Sequence, residues 1–441
     1  MTTPSIFSES VSFDRFREIA SHFVKLHNAD VLMTSPGFGE CGRSFIGLFP
    51  DDELVVSAES LADSMVDSCG DSCADSIVPD VKSFVFSDDR PTIGYVSYEC
   101  GQVLRGISTA KSTQYPFVHL KKYKAVLVHD EAQSRVKCLC NDEDLTFFIA
   151  KELRKAGSIV DTDLPNISIH DVSMSLNKSE YEDGVRDTLE YIKDGLTYQL
   201  NLSTMLSVRL DELDPVAWFF ALNKKFPAPY YAMFQSDDKQ IISTSPELFL
   251  RVEGGKVTSE PIKGTLHFEE YSPELEDKLT SSPKEDAELS MIVDLVRNDI
   301  SADCKYGSVV VENHKYVFTV DKLLQMYSRV RGELAEGRDC LDLFFNAFPG
   351  GSITGCPKKS SMELIEKLEL HGRGPYCGSV VVINGPQDMV SSIAIRTAVY
   401  DQTTKDLTYW AGSGIVIDSD PQAEFLETLA KAGKILHPDK C

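Results

Sequence analysis

The sequence predicts a large α+β protein, on three observations. Its 441 residues, 42% hydrophobic and 25% charged, suffice for one mixed body with two subdomains or for two to three average domains. Strand-like alternation and capped helical periodicity occur in the same stretches of chain. No internal repeat or low-complexity linker divides residues 175–441, which read as one unit. The chain is therefore expected to divide into an N-terminal region, 1–170, and a larger region, 171–441.

Composition excludes several functions. The net charge is −24, from 68 Asp and Glu against 44 Lys and Arg, whereas duplex nucleic acid or an anionic membrane demands a broad basic field. Neither a nucleic-acid nor a membrane partner is expected. An anionic ligand must then be held by a few local cations or by a metal ion that inverts the local potential. The eleven cysteines are scattered, and Cys69 with Cys73 or Cys138 with Cys140 lack the second pair and the histidines of a zinc site. They read as reduced, mostly buried thiols. The opening MTTPSIFSES has no basic segment leading into an apolar one, and no run of 18 apolar residues occurs. A soluble, cytoplasmic protein is expected.

In the first region YKAVLVHD reads as a strand, and SAESLADSMVDSCGDSCADS as an acidic surface helix and loop without chemistry. Ser179 and Glu182 then suggest a capping box, and Tyr181, Val185, Leu189 and Ile192 share one face of a helix that Gly195 stops. In LTYQLNLS, Leu196, Tyr198, Leu200 and Leu202 alternate with Thr197, Gln199, Asn201 and Ser203. This predicts a strand with one core face and one face of amides and hydroxyls, the latter either solvated or turned to a ligand.

IISTSPELFLRV and KVTSEPIKG flank Glu253-Gly254-Gly255-Lys256, whose glycines tolerate positive φ, and so form a β-hairpin. Lys263 is expected at the far end of that hairpin, between Pro261, which fixes φ, and Gly264, which lets the backbone bend. It is either a solvated loop cation or a nucleophile held at a strand end.

Two helices carry carboxylates. One opens with Ser282 as N-cap and Pro283 in its first position, buries Leu289, Ile292, Val293 and Val296, and carries Glu285 and Glu288 three residues apart. The other is capped by Asp420, starts at Pro421 and presents Glu424, Glu427 and Lys431 from one side. Acidic residues in first turns are favoured by the helix dipole alone. Two such pairs would also suit a hard divalent cation held through one or two carboxylates, with water and substrate oxygens completing its shell. Between the helices lie FPGGSITGCPKKSS and AGSGIV, read as glycine-rich turns, and SSIAIRTAV, read as a strand containing Arg396. Glycine clusters bring backbone N–H groups close to a carboxylate, and an arginine can clamp one bidentately.

From about residue 175 onward the sequence resembles the chorismate-utilising enzymes, the family of anthranilate synthase component I, aminodeoxychorismate synthase component I and the isochorismate and salicylate synthases. YQLNLS, STSPELFL, PIKGT, KEDAELSMIVDLVRND, FPGGSITGCPK, RGPYCGS, IAIRTA and GSGIVIDSDPQAEFLET carry the resemblance, in order. It implies an anthranilate synthase component I-like fold: two packed β-sheets with helices between and outside, in two subdomains around a cleft that binds chorismate with Mg2+. Carried over by position, Glu288 and Glu427 hold the metal, with Glu285 (catalysis) and Glu424 (substrate) beside them. Arg396, Lys431, Tyr376, Thr354 and the backbone at Gly412 and Gly414 bind the substrate.

The resemblance also bears on the reaction. Isochorismate and salicylate synthases have a water-activating lysine where this chain has Gln199, which points to an ammonia user. Anthranilate synthases have a loop similar to PIAGT; PIKGT is the form in aminodeoxychorismate synthase component I, whose lysine attacks the ring, expels the C4 hydroxyl and is displaced by ammonia. This implies 4-aminobenzoate and folate biosynthesis, with Lys263 covalent. No Cys-His-Glu glutaminase module is recognisable, so a separate glutamine amidotransferase subunit is expected to supply ammonia. Departures are Gln325, where HLxSxVxG has a histidine thought to assist the leaving hydroxyl, and Glu260, where an arginine usually precedes PIKGT. The alternatives are an anthranilate-type synthase and a diverged, non-catalytic chorismate-binding subunit.

Overall fold

Val118–Asp130 is the strand from which both halves of the sheet grow. In this computed structural model, which describes residues 5–35, 42–60, 73–109, 111, 114–157, 169–210, 212–320 and 323–436, it pairs with Arg43–Val56 along its length. On its other edge it pairs with Thr92–Val96 and then with Arg135–Cys140. One arm continues through Arg43–Val56, Asp30–Thr34, Tyr230–Ser236, Lys239–Ser245, Thr397–Asp401, Asp406–Ile415 and Gln199–Leu210 to Ile169–Met174. The other runs from Thr92–Val96 through Ser379–Gly385, Asp388–Ile393, Leu248–Glu253 and Lys256–Glu260 to Leu323–Glu333, which also pairs with Ile262–His267 and Val310–Val320. These pairings are all antiparallel, and strands from before residue 170 complete both arms.

Period-two alternation explains why the strands run between two cores. In Tyr230–Ser236, Tyr230, Ala232 and Phe234 enter a cluster that unites residues of both arms, including Tyr95, Leu250, Val381 and Met326. Tyr231 and Met233 enter a second cluster, where Phe16, Phe23, Ile149, Trp218 and Phe219 bring three helices onto the opposite face. Each buried side chain of this size contributes about 1.5–3 kcal/mol. The α+β architecture of two sheet arms with helices between and outside is as the sequence predicts.

Several local expectations need correction. The helix Lys178–Lys193 is capped by Asn177, whose side chain accepts from Ser179 N and Glu180 N while Glu180 answers the Asn177 N–H; the capping box is two residues earlier than Ser179/Glu182. A strand begins only at Gln199, leaving Leu196 and Tyr198 exposed, and its amide face is buried rather than half-exposed. Pro261 ends the hairpin, so Lys263 belongs to the next strand, Ile262–His267. AGSGIV is no turn: Ala411–Ile415 closes the strand Asp406–Ile415. Arg396 is not in a strand but between two, at φ 50. A short polar segment such as AGSG resembles a turn in sequence, yet here glycine permits the close approach of neighbouring strands.

Most of the acidic excursion lies outside the described residues, which resume with the helix Cys73–Val85. The seven cysteines whose side chains are described are all free, and six of them are buried. Among the described residues no helix is long and apolar enough to cross a membrane.

Candidate active site

Two glycines allow three elements to converge on Lys263. Gly264, at φ 81, produces a bulge at which the register against Leu323–Glu333 slips between Lys263 and Thr265. A methyl group on Gly264 would fall 3.2 Å from Glu285 Oε2, and one on Gly414 would fall 3.1 Å from Lys263 Nζ and 3.0 Å from Gln199 Nε2. The bare α-carbons thus let the helix Pro283–Ser301 and the strand Asp406–Ile415 approach the lysine.

Both carboxylate helices start as expected. Ser282 Oγ accepts from Glu285 N at 3.5 Å, ahead of Pro283, and Asp420 Oδ1 accepts from Ala423 N at 2.9 Å. Of the four apolar residues on the first helix, Val296 is only half-buried. The second helix is fixed to the sheet by Tyr181, whose hydroxyl lies 3.0 Å from Leu202 O, 3.0 Å from Ser413 Oγ and 2.8 Å from Thr428 Oγ1.

The electrostatics follow from this crowding. Burial lowers the pKa of Lys263 and Lys431 adds to the effect, while Glu288, Glu247 and Glu427 oppose it without prevailing. Glu285 is pushed up by burial and by the like charges of Glu288 and Glu427. Glu427 moves the other way: burial raises it, but Lys431, Lys263 and Lys284 together pull it below the ordinary carboxylate value. Lys431 Nζ stands 2.8 Å from Glu427 Oε1 and donates to Gly412 O at 3.0 Å.

Glu247 is the principal site residue that the sequence reading missed. It is 4% exposed, accepts from Ser352 Oγ at 2.6 Å, and is driven by burial to a pKa of about 7 despite Ser352, Lys263 and the Ile262 backbone, which favour its charged form. Its signal was available: a carboxylate within the apolar run of SPELFL is rare unless it is paired or functional.

Three amides complete the surroundings. Gln199 is wholly buried with neither amide atom hydrogen-bonded, and Asn201 Oδ1 and Gln325 Oε1 are likewise buried and unpartnered. Each such group costs about 1–3 kcal/mol when unmatched, as expected of positions that serve a ligand. Gln199 and Asn201 share the strand face opposite Gly414. Gln325 stands opposite Thr265.

The other predicted residues flank this cluster. Thr354 is fully buried and its hydroxyl donates to Gly350 O at 2.9 Å, so it holds its own loop. Tyr376 is buried and stacks on Trp410 at 6.2 Å, with 4° between the rings. Arg396 is half-buried and electrostatically coupled to Tyr409, and it has no carboxylate partner among the described residues. Glu424 accepts from Ser419 Oγ at 2.6 Å. Glu260, in place of the usual arginine, is paired 2.6 Å from Arg329. Behind the site Arg373, 1% exposed, is bidentate with Glu369 and donates to Ile353 O at 2.8 Å and Asn201 O at 2.7 Å, tying the glycine-rich loop to the amide strand.

The acidic cluster fits a divalent ion of the hard type. The Glu285 pKa is raised first by burial and then by the like charges of Glu288 and Glu427, a repulsion that a cation would relieve. No three of these carboxylates bring oxygens within 4.8 Å of one another, so the set suits an ion bound through one or two carboxylates rather than a closed protein cage.

Residues 55–437 match the family described as chorismate binding enzyme. The chain belongs to this family. It is similar to anthranilate synthase component 1 of Saccharolobus solfataricus, at 33% identity over 76% of this chain and 77% of that protein. It is also similar to aminodeoxychorismate synthase component 1 of Salmonella typhimurium, at 38% identity over 60% of this chain and 58% of that protein. A solved anthranilate synthase component I from Streptococcus pneumoniae superposes with a TM-score of 0.76 and 26% identity, covering 91% of this chain and 93% of that one. The menaquinone-specific isochorismate synthase of Escherichia coli, with a TM-score of 0.72 at 14% identity, shares the fold. The architecture is thus the one known for anthranilate synthase component I, and the family acts on chorismate.

Proposed function

We propose that the chain is aminodeoxychorismate synthase component I, which aminates chorismate at C4 with ammonia from a separate glutamine amidotransferase subunit, in 4-aminobenzoate and folate biosynthesis. The observation that carries this reading is the position of Lys263. A lysine in a solvated loop would keep its ordinary pKa; this one is desolvated, close to Lys431 and faces Gly414, the environment in which an amine becomes nucleophilic.

In this reading Glu288 and Glu427 would hold Mg2+, which when bound would supply positive charge to neutralise a substrate carboxylate. Arg396, Lys431, Tyr376, Thr354 and the backbone at Gly412 and Gly414 orient chorismate. The neutral Lys263 amine forms a bond to the ring as the C4–O bond breaks. The oxygen leaves with its electron pair and takes the proton of Glu247, whose pKa of about 7 keeps a large fraction of it protonated at neutral pH. The Lys263 nitrogen stays bonded to the ring as an ammonium; ammonia then bonds to C4, the ring electrons shift, and the bond from the ring to Lys263 breaks with its electron pair returning to Lys263 as the neutral amine. Glu285, beside Glu288 and Glu427 and raised from the ordinary carboxylate value by burial and their like charges, takes the proton shed by ammonia. Gln199 excludes activated water, since an amide is no base.

Gln325 cannot act as an acid near neutral pH, and Glu247 takes that task instead. An anthranilate-type synthase is the second reading, favoured by the similarity to the archaeal anthranilate synthase component 1. Incubation with chorismate, Mg2+ and an ammonium salt, with and without aminodeoxychorismate lyase, separates the possibilities. 4-Aminobenzoate formed only with the lyase is expected. Anthranilate would establish the second reading, and untouched chorismate a binding subunit without turnover.

A further inference from the structure

We propose that His22, His27 and Glu152 form a zinc-binding site, separate from the Lys263 cleft. His22 and His27 are on the helix Phe13–His27 and Glu152 on the helix Glu143–Lys155. Each contributes one donor atom to a set in which all donors lie within 4.8 Å of one another, the only such group of three His, Cys, Asp or Glu among the described residues.

The hydrogen bonding leaves this group incomplete. His22 Nε2 lies 3.0 Å from Glu152 Oε2, but His22, 3% exposed, has no partner at Nδ1, and His27 has a buried Nε2 with no partner. A proton shared by His22 and Glu152 satisfies that pair alone and does nothing for His27. An ion at the shared centre uses both imidazoles and the carboxylate. Zinc lies about 2.0–2.2 Å from nitrogen and oxygen donors, so donors 3.0 Å apart fit one coordination sphere.

Two features distinguish this from a surface cluster. Glu152 Oε1 is held by Lys155 Nζ at 2.5 Å, which orients the carboxylate and leaves Oε2 for the imidazoles. Phe23, Phe49 and Phe148 surround His27 at ring distances of 5.6, 5.6 and 5.7 Å, an apolar shell of the kind that limits water around a metal. Two nitrogens and one carboxylate favour zinc over Mg2+ or Ca2+, which require oxygen donors. Three protein ligands leave the fourth tetrahedral position to water. The ion would join two helices of the N-terminal layer.

The test titrates the full chain with Zn2+ in excess Mg2+, which keeps zinc from the acidic cleft, and records the visible spectrum with Co2+ in its place. One equivalent of Zn2+ is expected to bind, and Co2+ to give the intense visible bands of a tetrahedral site. His27→Gln, at a partly exposed position, should weaken binding by about tenfold or more, whereas Glu288→Gln should leave it unchanged. Absence of Zn2+ binding, an octahedral Co2+ spectrum, or undiminished binding by His27→Gln would each overturn the proposal.

Discussion

The Nζ of Lys263 faces the bare α-carbon of Gly414: a methyl group there would stand 3.1 Å from the amine and 3.0 Å from Nε2 of Gln199. Both neighbours are ends of flexible side chains, so Gly414→Ala should fold, at a cost on the order of 1 kcal/mol. The displaced lysine should lose its alignment. Turnover is expected to fall about tenfold or more while the thermal midpoint changes by only a few degrees. Wild-type turnover in this variant would show that the Lys263–Gly414 approach is without catalytic consequence.

Glu288→Gln and Glu427→Gln should each abolish turnover with little loss of fold. Each removes a charge from a crowded acidic cluster and one of the ligands proposed for the divalent ion. Calorimetric Mg2+ binding in the presence of chorismate should weaken in parallel. Full activity of both variants at limiting Mg2+ would mark these residues as ordinary helix carboxylates.

Glu247 gives the pH dependence. Its carboxyl group is raised to about 7 in the folded chain by burial. The folded state therefore binds the proton more tightly than the unfolded chain, and this stabilisation is fully present below the ordinary carboxylate range and lost as pH rises through 7. At about 1.4 kcal/mol per pKa unit the effect is on the order of 3 kcal/mol. Denaturant unfolding at pH 5 and pH 8 should show Glu247→Gln gaining relative to wild type at the higher pH. Wild-type turnover should fall above pH 7, and the variant should be slowed about a hundredfold. Equal pH dependence of stability in the two proteins would contradict the assignment.

Arg373 gives the stability test. With Glu369 at 0% and Arg373 at 1% side-chain exposure, Arg373→Met strands a buried carboxylate and should cost about 3–5 kcal/mol. A loss within 1 kcal/mol, read by chemical denaturation, would show the pair to be peripheral.

Much of this was legible in the sequence because its signals are local. Ser282-Pro283 and Asp420-Pro421 mark helix starts by the chemistry of the first turn, and Gly254-Gly255 marks a hairpin. The errors arose where tertiary contact decides. Gly412 and Gly414 resemble turn residues, yet a methyl on Gly412 would fall 2.5 Å from Leu202 O, so glycine serves close strand packing. Arg396 lies within an apolar run that reads as one strand but is broken at a left-handed residue. Glu247 is visible in sequence only as a carboxylate within the apolar run SPELFL; the raised pKa comes from burial, and its partner Ser352 lies in a segment distant in sequence. The family motifs supplied the pairing of two distant carboxylate helices, which no periodicity reveals.

The central claim is that Lys263 is a nucleophile, and intact-mass measurement tests it most directly. With chorismate and Mg2+ present and ammonia withheld, the wild-type chain should gain the mass of chorismate less one water. Lys263→Ala should not gain it, nor should Lys263→Arg, since a guanidinium stays protonated, while the alanine variant should still bind chorismate. No adduct in the wild type under single-turnover conditions, together with wild-type product formation by Lys263→Ala, would contradict the account.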